Sequence, residues 1–207
     1  MPRTAPTNRA MTPCGPAWRM VRLAVGEPTG ARAGVGAGHA TPRGTSVVDI
    51  RGIPEPAGWK DQLTGLEGPD AWQRMLVAEV ARSTRYGRPL TIVVLEVEGV
   101  LDLGEGLGPE IARHTLREAA QALRRESRTS DLAFRIGVTR FGVVLTETDE
   151  VPAINYVERV RERLLRDLVP AGTELRLSFG WASPKAGESA DVLVRRADHR
   201  MIEDLLR

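Results

Sequence analysis

Three groups of residues in this chain have the types and spacing to do chemistry. Glu96 and Glu98 stand two apart at the end of the run Leu90-Thr91-Ile92-Val93-Val94-Leu95-Glu96-Val97-Glu98. On a strand they share a face, where paired carboxylates could act on a proton or help hold a cation. Farther on, Gly137-Val138-Thr139-Arg140 separates two short apolar runs, the second from Phe141 to Leu145, and reads as the turn of a β-hairpin. An enzyme that builds a metal site on a sheet would present acids at such a turn. This one presents a hydroxyl, Thr139, and a cation, Arg140, so neither glutamate gains a partner acid and no metal site is expected. The third group is Arg128 and Asp131, two charged residues three apart that lead into the first strand of the hairpin.

The rest of the composition narrows the setting. Of 21 Gly and 14 Pro, nine and eight fall in residues 1–60. The same stretch has eight Lys/Arg against three Asp/Glu, whereas the remaining residues have 21 against 24. The computed pI of about 9.1 therefore describes a basic arm on a mildly acidic domain and does not by itself imply a nucleic-acid partner. Residues 1–58 are expected to be a disordered Gly/Pro-rich arm. Its most apolar part, Ala17 to Val25, is short and interrupted by arginines. No stretch approaches the roughly 18 apolar residues of a membrane helix, so no membrane partner is expected and a cytoplasmic location is the default. The single cysteine, Cys14, excludes an internal disulfide, and His39, His114 and His199 lack ligand spacing.

The folded domain is expected over residues 59–207. Asp61-Gln62-Leu63-Thr64-Gly65-Leu66 forms an entry loop, and Gly68-Pro69-Asp70 opens a helix whose apolar face is Trp72, Leu76 and Val80, with Met75 alongside. Gly87-Arg88-Pro89 ends it. The run 90–98 is apolar on both faces, which suits a central strand. Gly99, Gly104, Gly106 and Gly108 predict a glycine-rich loop that lacks the lysine of a Walker phosphate loop. Pro109 then starts a helix with Ala112, Leu116, Ala119, Ala120 and Leu123 buried. After the hairpin come a helix from about Pro152 (Ile154, Val157, Val160 and Leu164 inward), a strand from Leu175 to Trp181, and a last helix using Leu193, Ala197 and Met201. From residue 90 the order is βαββαβ, an α+β ferredoxin-like arrangement predicting an antiparallel sheet with helices on one face and an extra helix at each end. Trp72 reads as core, and Trp181 as core or dimer surface. His114 reads as solvated, and Arg195, Arg196, Asp198, His199 and Arg200 read as the wet side of the last helix.

These residues also carry a resemblance. Asp61-Gln62-Leu63-Thr64-Gly65-Leu66, Ser178-Phe179-Gly180-Trp181-Ala182 and Ala197-Asp198 resemble, in order, the D-x-L-T-G-L entry, S-x-G-x-A and terminal A-D motifs of GGDEF domains, the diguanylate cyclase family, whose nucleotidyl-cyclase palm fold matches the element order above. The resemblance implies two GTP molecules joined into cyclic di-GMP by a dimer using Mg²⁺. It also places the signature on Gly137, Val138, Thr139, Arg140 and Phe141, of which only the first glycine and the phenylalanine match. Thr139 stands at the metal-binding acid and Arg140 at the adjacent glutamate. Glu96 falls at the first-strand acid as a vestige of the metal site. Gly104 and Arg113 fall at the residues that read guanine, Leu205 at a phosphate-binding lysine and Ile202 at a tyrosine.

One site implied by the resemblance is intact. Arg128-Thr129-Ser130-Asp131 is similar to the R-x-x-D of the family's product-inhibition site, and Arg159 falls at a second arginine of that site. An arginine fork can bond O6 and N7 of guanine, and an aspartate can accept from its N1–H and amine. The expectation is thus a degenerate, catalytically inactive GGDEF domain without catalytic residues or cofactor, Mg²⁺ being needed only if residual cyclase activity exists. Its expected role is cyclic di-GMP binding at Arg128, Asp131 and Arg159. The alternative is a regulatory protein-interaction or dimerisation module insensitive to nucleotide.

Overall fold

A computed structural model describes residues 49–168 and 175–206. Residues 1–48, the greater part of the expected arm, lie outside the described residues. The described elements run β1 (Asp49–Ile50), β2 (Ile53–Pro54), α1 (Pro69–Tyr86), β3 (Leu90–Glu98), α2 (Val100–Leu107), α3 (Pro109–Glu126), β4 (Leu132–Arg135), β5 (Arg140–Thr146), α4 (Glu150–Leu168), β6 (Arg176–Ala182) and α5 (Ala190–Leu205). The fold is α+β. Four antiparallel strands lie in the order β4-β5-β3-β6.

Alternation along the central strand divides the core in two. Val93, Leu95 and Val97 of β3 point to one face with Leu116 and Leu123 of α3 and Val157, Val160 and Leu164 of α4. Ile92 and Val94 point to the other with Trp72 and Leu76 of α1 and Leu193, Ala197 and Met201 of α5. Helices therefore cover both faces, not one. The physical reason is the strand itself: a run apolar on both sides must be covered on both, and the two terminal helices supply the second cover. On α4 the buried stripe is Ala153, Tyr156, Val157, Val160 and Leu164, with Ile154 only partly buried. On the second face Trp72 meets Phe134 edge to face, with ring centroids 5.2 Å apart. Gly180 lets α5 lie directly on β6, since a Cβ there would sit 1.9 Å from the carbonyl oxygen of Ala197.

Two expectations are corrected. The glycine-rich segment after β3 is not a loop but the helix α2. Each interior glycine disfavours a helix by about 1 kcal/mol, and tertiary packing overrides that preference: Val100 and Gly104 are buried, and a Cβ on Gly104 would come within 3.0 Å of Ala112 Cβ. The folded unit also begins before residue 59. The hairpin β1–β2 belongs to it, because Ile53 is fully buried in the core and Arg113 Nε donates to the Gly52 carbonyl at 2.7 Å.

The entry loop is fixed to the hairpin β4–β5 by a buried ion pair. Arg135, 0% exposed, lies 3.0 Å from Asp61. Its guanidinium also donates to the carbonyls of Pro54 (3.0 Å) and Val138 (2.7 Å). The other oxygen of Asp61 accepts from the backbone N–H (2.8 Å) and hydroxyl (2.6 Å) of Thr64. Every charge is thereby partnered. Asp61→Ala would leave the guanidinium buried and uncompensated, and should destabilise the domain by about 3–5 kcal/mol in urea denaturation. Pairing it with Arg135→Met should recover most of that loss.

Candidate functional site

The turn Gly137–Arg140 is closed by the N–H groups of Ile136 and Gly137 donating to the Arg140 carbonyl at 2.9 and 3.2 Å, and is laid against β3 by the Val97 N–H donating to the Thr139 carbonyl at 3.1 Å. Strand register then sets Arg140 opposite Glu96, with Ser178 on Glu96's other side. The Thr139 hydroxyl donates to the Glu96 carboxylate, and Arg140 forms an ion pair with Asp198 of α5. Glu98 accepts from the Ser178 hydroxyl at 2.6 Å. Burial pushes the Glu96 carboxyl above its ordinary range, against the opposing pull of Thr139 and Arg140, while Glu98 and Asp198 push it further up. Burial also raises Asp198, opposed by Arg140.

This arrangement does not fit the divalent ions that a cyclase centre requires. A hydroxyl occupies one oxygen of Glu96, and a guanidinium, which has no lone pair to give, stands opposite it and holds Asp198. Among the described residues no group of three His, Cys, Asp or Glu side chains could hold a metal ion. What the geometry provides is a hydrogen-bonded polar cluster tying the turn to α5. Asp198 is thus not on the wet side of its helix, as its spacing suggests. Arg196 and Arg200 are also engaged, with Glu188 (2.7 Å) and Glu150 (2.5 Å). His199 is paired only with Glu203 at the surface. Trp181 is partly buried against the core and donates to Glu150 at 3.2 Å. His114 is exposed, as expected, while Leu205 is also exposed and Ile202 partly so. Arg113 is held by Gly52 and by Glu110 at 2.5 Å, and Gly104 is packed inside α2 against α3.

The second group lies where α3 passes into β4. Asp131 accepts the Arg128 N–H on one oxygen at 2.8 Å, while the Asp131 N–H donates to the Arg128 carbonyl at 3.0 Å. The other carboxylate oxygen, Oδ1, is buried without a hydrogen-bond partner among the described residues. The Arg128 side chain is exposed. Arg159, on α4, is held 3.2 Å from Glu126 in the last turn of α3 and lies over the ring of Tyr156, 5.9 Å from its centroid. Arg163 takes the other Glu126 oxygen at 2.6 Å, and these two guanidiniums hold that carboxyl below its usual range. The fold thus brings Arg159 to Glu126, two residues before Arg128 in the chain. Sequence reasoning missed Asp61–Arg135 as the support of the turn. The available signal was an arginine between Phe134 and Ile136 inside an apolar strand.

A carboxyl with a raised folded pKa binds its proton more readily in the folded state, so its contribution to stability falls as pH rises above its ordinary 4.5. Glu96→Gln removes that loss. In denaturation series from about pH 4 to about pH 8, the stability difference between variant and parent should move steadily in favour of the variant.

Comparison with known proteins agrees with this architecture. The family model described as diguanylate cyclase, GGDEF domain, matches residues 59–205. Diguanylate cyclase DosC of Escherichia coli K12 is 29% identical over 145 residues, covering 68% of this chain and 32% of that protein. Response regulator PleD of Caulobacter vibrioides NA1000 is 29% identical over 144 residues, covering 67% and 32%. The chain thus spans about a third of the length of these curated relatives. Among solved structures, diguanylate cyclase SiaD of Pseudomonas aeruginosa, crystallised in complex with its activator SiaC, aligns with a TM-score of 0.65 at 30% identity, over 73% of this chain and 59% of that one. The GGDEF domain of DgcB from Caulobacter crescentus, crystallised in complex with c-di-GMP, aligns with a TM-score of 0.67 at 20% identity, over 72% and 91%, a likeness of fold. With the model match spanning most of the chain and the entry, hairpin and α5 elements in their places, this protein belongs to the GGDEF family of diguanylate cyclase domains.

Proposed function

We propose that this domain is a catalytically inactive GGDEF signalling domain that reads cyclic di-GMP through Arg128, Asp131 and Arg159. The observation that carries the first half is the Arg140–Asp198 ion pair beside a Glu96 already bonded to Thr139: a cation and a hydroxyl stand where synthesis needs acids. Recognition needs no metal. The Arg128 side chain is exposed, and Asp131 has a buried oxygen without a hydrogen-bond partner among the described residues; once that oxygen is uncovered, the two supply a donor and an acceptor suited to a guanine edge. Arg159 must exchange Glu126 for a phosphate. The Arg159 side chain is half exposed, and Glu126, itself only 13% exposed, keeps Arg163 at 2.6 Å, so the exchange leaves no carboxylate unpaired. The complex of DgcB with c-di-GMP supports such a ligand for this family's fold. A reader of a nucleotide messenger would work in the cytoplasm. Among the described residues no helix is long and apolar enough to cross a membrane.

A second reading, a nucleotide-independent interaction module, is favoured by one observation: the carboxylate of Asp131 caps the Arg128 N–H while Arg159 is bound to Glu126, contacts that stabilise the loop without any ligand. The complex of SiaD with its activator supports a protein partner for a relative. Calorimetric titration separates the two. Cyclic di-GMP should bind with micromolar or tighter affinity, and Arg128→Ala or Asp131→Ala should weaken it at least about tenfold, the value of one good paired contact to a base. Absence of heat together with a nucleotide-insensitive dimer would favour the interaction module. Incubation with GTP and Mg²⁺ or Mn²⁺ should yield no cyclic product, and appreciable product would overturn the inactive assignment.

A further inference from the structure

The two edges of the sheet are closed by different means. At the β4 edge, the backbone does it: the Arg135 N–H donates to the Glu67 carbonyl of the entry loop at 2.9 Å. At the β6 edge, among the described residues, no strand is present. Register with β3 turns the backbone groups of Leu177, Phe179 and Trp181 outward. Three of those groups, one on each residue, are met by side chains. Arg161 of α4 donates to the Leu177 carbonyl at 3.2 Å. Asp204 of α5 accepts the Phe179 N–H at 2.9 Å. Arg200 of α5 donates to the Trp181 carbonyl at 3.0 Å. Arg161 and Asp204 come from helices on opposite faces of the sheet and meet around the edge at 2.8 Å, and the Arg161 guanidinium lies 4.7 Å from the centroid of the Phe179 ring.

We propose that Arg161, Asp204 and Arg200 form a side-chain latch that closes the outer edge of β6 against strand addition by a second copy of this chain. The strand needs such protection. Arg-Leu-Ser-Phe-Gly-Trp-Ala carries one charge, at its first position, and alternates large apolar residues, the composition of an edge that pairs with its own kind when bare. Antiparallel pairing of two such edges is isologous: about a two-fold axis at Phe179, Leu177 of one copy meets Trp181 of the other. The latch occupies the outward carbonyl at 177, N–H at 179 and carbonyl at 181 that such a pair would use, and it adds a charge-assisted contact at each. It is independent of the Arg128 site and of the reading given to that site.

The full chain carrying Asp204→Ala, compared with the parent, tests the latch by amide hydrogen exchange at Phe179 and by sedimentation velocity over a range of concentrations. The expected result is exchange at Phe179 at least about tenfold faster in dilute protein, where one net hydrogen bond is lost, and a concentration-dependent association beyond any that the parent shows. Asp204→Asn retains a carbonyl acceptor for the Phe179 N–H but removes the charge facing Arg161. It should show an intermediate effect, and it decides the matter if Asp204→Ala fails to fold. A folded Asp204→Ala with unchanged exchange at Phe179 and unchanged sedimentation would overturn the proposal. So would a loss of thermal stability in both variants with no change in association, because that is the signature of a purely structural pair.

Discussion

Everything displayed on this domain rests on one buried ion pair. Arg135 has no access to water, and its guanidinium is kept charged in the interior only because Asp61, Pro54 and Val138 surround it with acceptors. Desolvating two charges is expensive and is offset only when each remaining donor and acceptor is met. Here the requirement binds three segments far apart in sequence: the hairpin β1–β2, the entry loop and the turn between β4 and β5. The turn cannot move without uncovering the guanidinium. That constraint holds Val138, Thr139 and Arg140 at the mouth of β3, whatever those three residues are used for.

On that fixed scaffold, exchanging side chains at two positions changes the chemistry open to the site. A carboxylate at the turn would leave several negative charges beside Glu96 and Asp198, an arrangement that calls for cations. A hydroxyl and a guanidinium lower that charge and give it partners: Thr139 hydrogen-bonds Glu96 and Arg140 pairs with Asp198. The cluster is then a strut between the hairpin and α5, with a partly buried Glu96 still disfavoured in its charged form. Under the proposed inactive assignment, a turn without acids also lacks the metal that would activate a hydroxyl for attack on phosphate. The Arg128 loop is built on different physics. Its contacts are exposed or single hydrogen bonds, each worth little on its own.

The order of elements, the places of α1, α3, α4 and α5, and the hairpin were legible in the sequence because each depends on neighbours within a few residues. Examples are the apolar spacing of Leu116, Ala119, Ala120 and Leu123, Pro109 at the first turn of α3, and Gly137 in the turn. Two elements were misread for a common reason. α2 has two helix-weakening glycines inside it, Gly104 and Gly106, and forms because Gly104 seats against Ala112. The hairpin β1–β2 looks like the Gly/Pro-rich arm around it and folds because Ile53 finds the core. In both, a long-range contact outweighs local preference. The doubly apolar β3 requires two covered faces, whereas the ferredoxin-like order of elements by itself supplies helices for one.

The sequence by itself determined that the turn carries no acid, since no fold can make threonine or arginine into a metal-binding acid, and it supplied the residues proposed to recognise a ligand. The tertiary structure alone decided how the replacements are used. Arg140 meets Asp198 across 58 positions and Arg135 meets Asp61 across 74, separations over which periodicity and propensity carry no information. Pairing of charges depends on distance in space and on exclusion of water, and both are set only when the helices close over the two faces of the sheet.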